Sequence, residues 1–445
     1  MNEQRESDVP IDKSYSMPSF KLVKYNGCGL AVFVDIARWV VLRNDRQQVI
    51  FNELTNGRSI GNVLEGHSDS INDVREVLVQ LEALQVEKIK AKSIFSNTRL
   101  HLHLTNRCNM HCPHCYVCSS VAYDNELTTE EIQSLCKHFR DIGGTDVSLT
   151  GGEPTLRDDF FEIVKYISDI GMRVSVYTNG LNWDEEKIKR LATYSIEGVQ
   201  VSIDGYDEQT NAVFRNKGAF ERALNTVDLM LKHKLHLKIA ITPPYEVLME
   251  NRQKYIDFAK SLLDKYGTDS LELNFSYALM PGRELTVAFV DSVRDKYQDY
   301  IDKIVSSVWP NAKMDSFVAN ISDGIYDSCG YGGLNVLSNG DLYFCDRLSD
   351  VAKNGNIRDM PFEEIHRLMQ LAEETGKIDH FRPCKDCELK YICGGGCRAE
   401  WFRQFTQIDN VEEVDYTSIA PRKCTYSDKE RIYDLMLRTT EMFYR

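Results

Sequence analysis

The stretch Leu104-Thr-Asn-Arg-Cys-Asn-Met-His-Cys-Pro-His-Cys-Tyr116 decides how this chain is read, because it sets Cys108, Cys112 and Cys115 in a C-x3-C-x2-C spacing. Three thiols this close together form a soft ligand set suited to iron–sulfur clusters and to zinc. A four-iron cube held by three cysteines leaves one iron without a protein ligand, and that iron is open to a small molecule. Zinc would want a fourth ligand, which His111, His114 or Cys118 offers. The plainest alternative is three small side chains in a core.

The motif resembles that of the radical SAM superfamily, and Tyr116 directly after the third cysteine also fits that pattern. The resemblance implies that the open iron chelates the amino and carboxylate groups of S-adenosylmethionine. It further implies that an electron from the cluster cleaves the sulfonium, and that the resulting 5'-deoxyadenosyl radical takes a hydrogen atom from the substrate. Such chemistry belongs to the cofactor, while the protein supplies orientation and keeps side reactions out.

From residue 99 strands and helices alternate, the signature of a parallel sheet with helical crossovers. Strands are predicted at 99–104, 146–150, 172–177, 198–203, 237–242 and 270–277, the last followed by Met280-Pro-Gly-Arg283. Thr128 and Glu131 form a capping box for the first helix. Gly151-Gly152-Glu153-Pro154 follows the second strand directly, as the superfamily's SAM-binding segment does. Glycine lets the backbone approach a ligand closely, and Glu153 or nearby carbonyls can accept from an ammonium group. By the same resemblance Thr178, Asn179, Ser202 and Asp204 line the ribose and methionine, and Arg215 meets the carboxylate. For Ser202, Asp204 and Arg215 an ordinary solvated loop is the competing reading. Six such units in 99–310 imply an α/β fold, the partial (β/α)6 TIM barrel of the radical SAM type, with ligands at the carboxyl ends of the strands.

Upstream, 1–87 reads as a separate α+β module. Strands are expected at 20–25, 30–35 and 38–43, with Asn26-Gly27 as a hairpin turn, and helices at 47–54, 60–64 and from Ser70. The order, with Val32-Phe-Val-Asp35 and Arg38-Trp-Val-Val-Leu42, resembles the winged-helix-like PqqD-like element that recognises leader peptides in ribosomal peptide (RiPP) maturation. That implies a precursor peptide held along a strand edge. A DNA-binding winged helix and a purely structural cap are the rivals. Nine Lys and Arg against thirteen Asp and Glu in 1–87 speak against DNA. Residues 88–98 read as a charged connector.

Past residue 325 the alternation stops and cysteines return, as Cys329, Gly340-x4-Cys345, Cys384-x2-Cys387-x5-Cys393-x3-Cys397 and Cys424. This resembles the seven-cysteine SPASM domain, placed at 311–445, with two auxiliary four-iron clusters. The resemblance assigns Cys384, Cys387, Cys393 and Cys424 to one cluster and Cys329, Cys345 and Cys397 to the other, whose fourth iron lacks a cysteine. Gly394, Gly395 and Gly396 would let the chain fold around cluster sulfides. Asp346 matches a catalytic base of formylglycine-forming relatives, and an aspartate orienting Arg347 is the plain alternative. From Asp428, Ile432, Leu435 and Met436 recur at helical spacing. Cys28, Cys118 and Cys136 read as buried small hydrophobes, with Asp327 or one of them the alternative that closes the open iron.

A secreted disulfide framework is disfavoured by the tight clustering and by an amino terminus with no apolar signal region. The chain has 445 residues and a net charge of -14, which speaks against general affinity for nucleic acid or anionic membranes. No apolar run reaches the length of a membrane span, and a cytoplasmic location is expected. The expected function is that of an enzyme with three [4Fe-4S] clusters and S-adenosylmethionine, fed by flavodoxin or ferredoxin. It would cross-link a precursor peptide through a thioether or carbon–carbon bond. Formylglycine formation on sulfatases and an iron–sulfur DNA-binding regulator are the alternatives.

Overall fold

The computed structural model describes residues 10–84, 93, 97–348, 353–399 and 424–444. The expected connector at 88–98 falls mostly outside them, as does 400–423 between Cys397 and Cys424. No helix among the described residues is long and apolar enough to cross a membrane.

Strands β1 (Lys21–Tyr25), β2 (Cys28–Phe33) and β3 (Arg38–Leu42) form an antiparallel sheet in that order. Asn26 and Gly27 sit at φ 47° and 76°, and their two-residue turn closes Tyr25 onto Cys28. Helices α1 (Asp45–Thr55), α2 (Ile60–Gly66) and α3 (Ile71–Leu84) cover one face, where Phe33, Val40 and Leu42 meet Ile50, Phe51 and Val77.

The opposite face is buried as well. Leu30, Val32, Trp39 and Val41 pack against Ile321, Leu389, Ile392, Tyr433 and Met436 of the cysteine-rich region. Trp39 Nε1 donates to Met436 O (3.1 Å) and Thr440 Oγ1 (2.9 Å), and Arg38 donates to Ile321 O (2.7 Å). Burial on both faces explains why β2 and β3 are apolar at nearly every position rather than alternating. Gln80 of α3 closes the outer edge of β3, accepting from Val41 N (2.7 Å) and donating to Val41 O (2.8 Å).

The main sheet has eight strands in the order β11-β10-β4-β5-β6-β7-β8-β9. β4 (Arg99–His103), β5 (Asp146–Thr150), β6 (Arg173–Thr178), β7 (Ile196–Ser202), β8 (Leu237–Ile241) and β9 (Leu271–Phe275) run parallel, each beside its successor. All six lie within two residues of their predicted positions. Leu100, Leu102, Val147, Leu149, Val174 and Val176 pack into the main core with the crossover helices. The residues between them, His101, His103, Ser148, Ser175 and Tyr177, give the other face a polar character.

One expectation is corrected. The alternation does not end before the cysteine-rich region, because β10 (Asn335–Val336) pairs parallel with β4, and β11 (Leu342–Tyr343) pairs antiparallel with β10. Strands of two residues are too short to carry a periodic signal. They place Cys345 just past the end of this extended sheet.

Since the outer face of the small sheet is core, Trp39→Ala is expected to cost about 3–5 kcal/mol of unfolding free energy. Trp39→Phe, which mainly removes the two hydrogen bonds, is expected to cost about 1–2 kcal/mol. Denaturant titration followed by circular dichroism checks both, and a neutral Trp39→Ala would contradict the packing.

Candidate active site

The cysteine loop after β4 is clamped from two sides by backbone. On one side Gly152 N donates to Thr105 O (2.7 Å) and Glu153 N to Arg107 O (2.9 Å). A Cβ on Gly151 would lie 2.4 Å from Thr105 O, and one on Gly152 2.3 Å from Arg107 O, so only glycine allows the approach. On the other side Arg283 N donates to Cys115 O (3.1 Å) and Glu284 N to Pro113 O (2.8 Å). The Arg283 guanidinium adds bonds to Cys112 O and Ser119 O, and Gly282 has no room for a Cβ beside Cys115 O. Sequence reading noted Met280-Pro-Gly-Arg283 but found no role for it, because nothing local links it to a loop so far upstream.

Cys108, Cys112 and Cys115 share an apolar setting with Met110, Leu181 and Ala219. Burial pushes the Cys108 thiol up to about 11 and raises that of Cys112, where Arg215 pulls the other way. Arg215 Nη1 lies 3.7 Å from Cys112 Sγ. Three buried or half-buried thiols, one with a guanidinium set against it, are a donor set that fits a four-iron cube, which takes one thiolate per iron.

Asp204 and Arg215 do not sit in a solvated loop. Asp204 is fully buried, with Oδ2 accepting from Arg215 Nε and Oδ1 accepting from Thr242 N (2.9 Å). His114 Nε2 lies 3.4 Å from Asp204 Oδ2, and its ring stacks on Phe214 at 4.3 Å. Burial pushes His114 down to about 4, and its Nδ1 is buried without a partner. Sequence reading took His114 only as a zinc ligand; its contact with a carboxylate ninety positions away carries no local signal.

Glu153 is likewise fully buried, and burial raises its carboxyl. Its oxygens accept from Thr178 Oγ1 (2.8 and 2.9 Å), Thr155 Oγ1 (2.6 Å) and Asn179 N (2.8 Å). The side chain is thus a strut between the loops after β5 and β6, which leaves acceptance from a ligand to the backbone carbonyls. Pro154 is buried beside it, and Asn179 Nδ2 donates to Asn109 Oδ1 (2.7 Å) inside the cysteine loop. Ser202 is half-buried at the end of β7. Tyr116 is turned toward Asp346 and Tyr177, and burial raises its phenol.

The seven later cysteines divide into two groups by mutual repulsion. Burial raises Cys345, and Cys329 and Cys397 add to it; Cys384 is pushed up to about 11 by burial, with Cys393, Cys387 and Cys424 adding. Gly394, Gly395 and Gly396, at φ 65°, 74° and 78°, carry the chain from one group to the other. Arg398 is fully buried where the groups meet. It donates to Gly376 O, Gly394 O and Gly396 O (each 2.8 Å) and to Asp327 O (3.3 Å), and its backbone N–H reaches Cys329 Sγ at 3.4 Å. Arg347 Nη1 lies 3.7 Å from Cys397 Sγ, and Lys429 lies near Cys387 while pairing with Glu388 (2.8 Å).

Of the leftover residues, Cys136 is a core side chain pushed up to about 12 by burial, Cys28 is half-buried, and Cys118 is exposed at φ 51°. The reading of all three as buried is thus corrected for Cys118, which an exposed turn carries. Asp327 accepts from Ser93 Oγ (2.6 Å).

Residues 102–259 match the radical SAM superfamily, and 328–388 match SPASM, an iron–sulfur cluster-binding domain. The chain is an enzyme with a radical SAM domain. It is 29% identical over 344 residues to the AdoMet-dependent heme synthase of Methanosarcina barkeri, covering 72% of this chain and 96% of that one. It is 25% identical over 325 residues to the PqqA peptide cyclase of Bradyrhizobium diazoefficiens, covering 68% and 81%. The solved structure of native anSMEcpe with bound AdoMet shares the fold, with a TM-score of 0.56 at 18% identity over 78% of this chain and 98% of that one. The enzyme accordingly uses S-adenosylmethionine and [4Fe-4S] clusters.

Two histidines on the polar face escaped the sequence reading, although their alternation with Leu100 and Leu102 was visible. His101 and His103 stand 5.4 Å apart; burial lowers His101 and pushes His103 down to about 3. His103 is neutral in the folded enzyme and protonates in the unfolded chain below its ordinary value near 6.5. Its contribution is therefore complete above that pH and is lost as the pH falls toward 3, with a slope of about 1.4 kcal/mol per unit. His103→Gln is expected to flatten the acid side of the stability profile by that slope. Unfolding titrations of both forms at pH 7 and 5.5 measure it, and parallel profiles would contradict a neutral buried His103.

Proposed function

We propose that this enzyme is a peptide maturase that cross-links a ribosomally made precursor, as a thioether or a carbon–carbon bond. In this reading 99–310 is a partial (β/α)6 barrel, 311–445 holds the two auxiliary clusters, and 1–87 is a winged-helix-like, PqqD-like unit that binds the leader. The observation that carries the reading is this N-terminal unit, seated on the cysteine-rich region by Trp39 and Arg38. The heme synthase is matched over nearly its whole length, yet more than a quarter of this chain has no counterpart in it. An added unit clasped to cluster-bearing chain has the position expected of a second recognition element.

The ten motif cysteines are assigned to three cubes: Cys108, Cys112 and Cys115 to the SAM cluster, and the two later groups to the auxiliary clusters as the resemblance divides them. When bound, the first cluster and S-adenosylmethionine supply the radical that removes a substrate hydrogen. The chain's own part is to hold and to exclude. Gly152 and Arg283 fix the cysteine loop, Arg215 sets positive charge against Cys112, and the polar sheet face receives the peptide. Asp346, beside Cys345 and near Tyr116 and His101, is the candidate acceptor for the proton released as the new bond forms. The two later cysteine groups would hold clusters able to take up the electron given up as the bond forms, and flavodoxin or ferredoxin would supply the reductant. The protein is expected to work in the cytoplasm.

Coexpression with a candidate precursor and mass spectrometry of the peptide tests the reading: loss of two hydrogens per link is expected. A tetrapyrrole substrate is the second reading, favoured by the identity with the heme synthase. Conversion of an iron porphyrin, with no mass change in any peptide, would establish it instead.

Replacing Cys108, Cys112 and Cys115 by Ala is expected to abolish 5'-deoxyadenosine formation and leave about eight of about twelve iron atoms. Chromatography and iron analysis check both numbers, and continued cleavage of S-adenosylmethionine would reassign the cluster. Asp346→Asn is expected to keep 5'-deoxyadenosine formation while cutting cross-linked product by about 100-fold or more. Unchanged product would remove Asp346 from the chemistry.

A further inference from the structure

Among the described residues the main sheet ends at β9, which has a partner strand on one side only. The parallel register runs from Leu237↔Leu271 to Ile241↔Phe275, with Leu237 N donating to Ser270 O and Ser276 N donating to Ile241 O (2.8 Å each). Parallel pairing therefore commits the even-numbered backbone of 270–276 to β8 and turns the amides and carbonyls of Leu271, Leu273 and Phe275 outward.

Along this edge lies a groove of about 650 Å³, walled by Leu263, Tyr277, Val305, Trp309, Phe317 and Leu435. Thr268, Leu271 and Glu272 line both this groove and a second cavity of about 750 Å³ on the polar face, where Tyr177, Gln200 and Lys238 stand. The two spaces therefore adjoin at the start of β9. At the other end Phe317 lies 5.7 Å from Trp39 of β3. One trough thus runs past the edge of β9 and opens onto the polar face at the amino ends of its strands, and its wall residue Phe317 is itself packed on the N-terminal unit. A row of outward amides and carbonyls over an apolar trough is complementary to an extended polypeptide. A flat tetrapyrrole has no matching row of donors and acceptors.

We propose that the substrate peptide, between its leader and the residues to be joined, adds to β9 as a further strand. Its alternate apolar side chains rest on Trp309 and Phe317, and Glu272 with Lys238 (3.0 Å apart) forms the polar threshold it then crosses. This inference rests on the peptide-maturase reading for its occupant but not for its geometry.

Hydrogen exchange on the full-length, cluster-loaded enzyme tests it with a capped octapeptide alternating Leu and Thr. The control is the same octapeptide N-methylated at every second amide. The first is expected to slow exchange across 271–275 at least tenfold at millimolar concentration, and the second to leave it unchanged. Trp309→Ala, with its iron content checked, is expected to weaken that protection several-fold; Tyr277→Ala, on the same wall, serves if the first variant loses iron. No protection, or equal protection by the methylated peptide, overturns the proposal. Protection by the octapeptide with no precursor ever modified leaves the groove standing and removes the maturase reading. A modified precursor without protection at β9 removes the groove alone.

Discussion

A sulfur anion cannot be buried alone. In each of the three cysteine groups, burial raises thiols above their ordinary range and favours the neutral form. Iron reverses that preference, and the cationic side chains around each site share in the compensation: Arg215 at Cys112, Arg347 at Cys397, and Lys429 near Cys387. Much of the surrounding architecture exists to keep those cations in place. Asp204 holds Arg215, Glu388 holds Lys429, and carbonyls from three segments hold Arg398. The carboxylates serve the arginine and lysine, and the arginine and lysine serve the sulfur.

This hierarchy explains where the sequence was legible and where it was not. The cysteine spacings, the Thr128–Glu131 capping box, the Asn26-Gly27 turn and the six parallel strands are local patterns, and local patterns survive in one dimension. Glu153, Asp204 and Arg215 were picked out by position in the motifs, but sequence reveals a residue's type and not its partner. All three spend most of their polar atoms on the protein itself. The carboxylate partner of His114 and the role of Arg283 went unread for the same reason, since those contacts cross scores of residues. The short strands β10 and β11 had no period to find. The double-sided burial of β2 and β3 was present as unbroken apolar runs, and these could be interpreted only once a second covering surface was known.

The polar face of the main sheet shows a related economy. Its histidines are kept neutral by burial and lie beside a tyrosine and an aspartate, so the imidazoles add no positive charge to it.

The clasp between Trp39 and the helix Tyr426–Thr439 has a consequence for biogenesis. Trp39 is synthesised 397 and 401 residues ahead of its two hydrogen-bond acceptors, Met436 and Thr440. Until they emerge, the outward face of the first sheet lacks that cover, a condition in which nascent chains are prone to aggregate. The covering surface also contains Leu389 and Ile392, which lie between the cysteines of the later group. Closure of this early sheet is therefore coupled to ordering of the later cysteine-rich chain, and a nascent chain that stalls before the helix Tyr426–Thr439 is a client for chaperones rather than a partial enzyme.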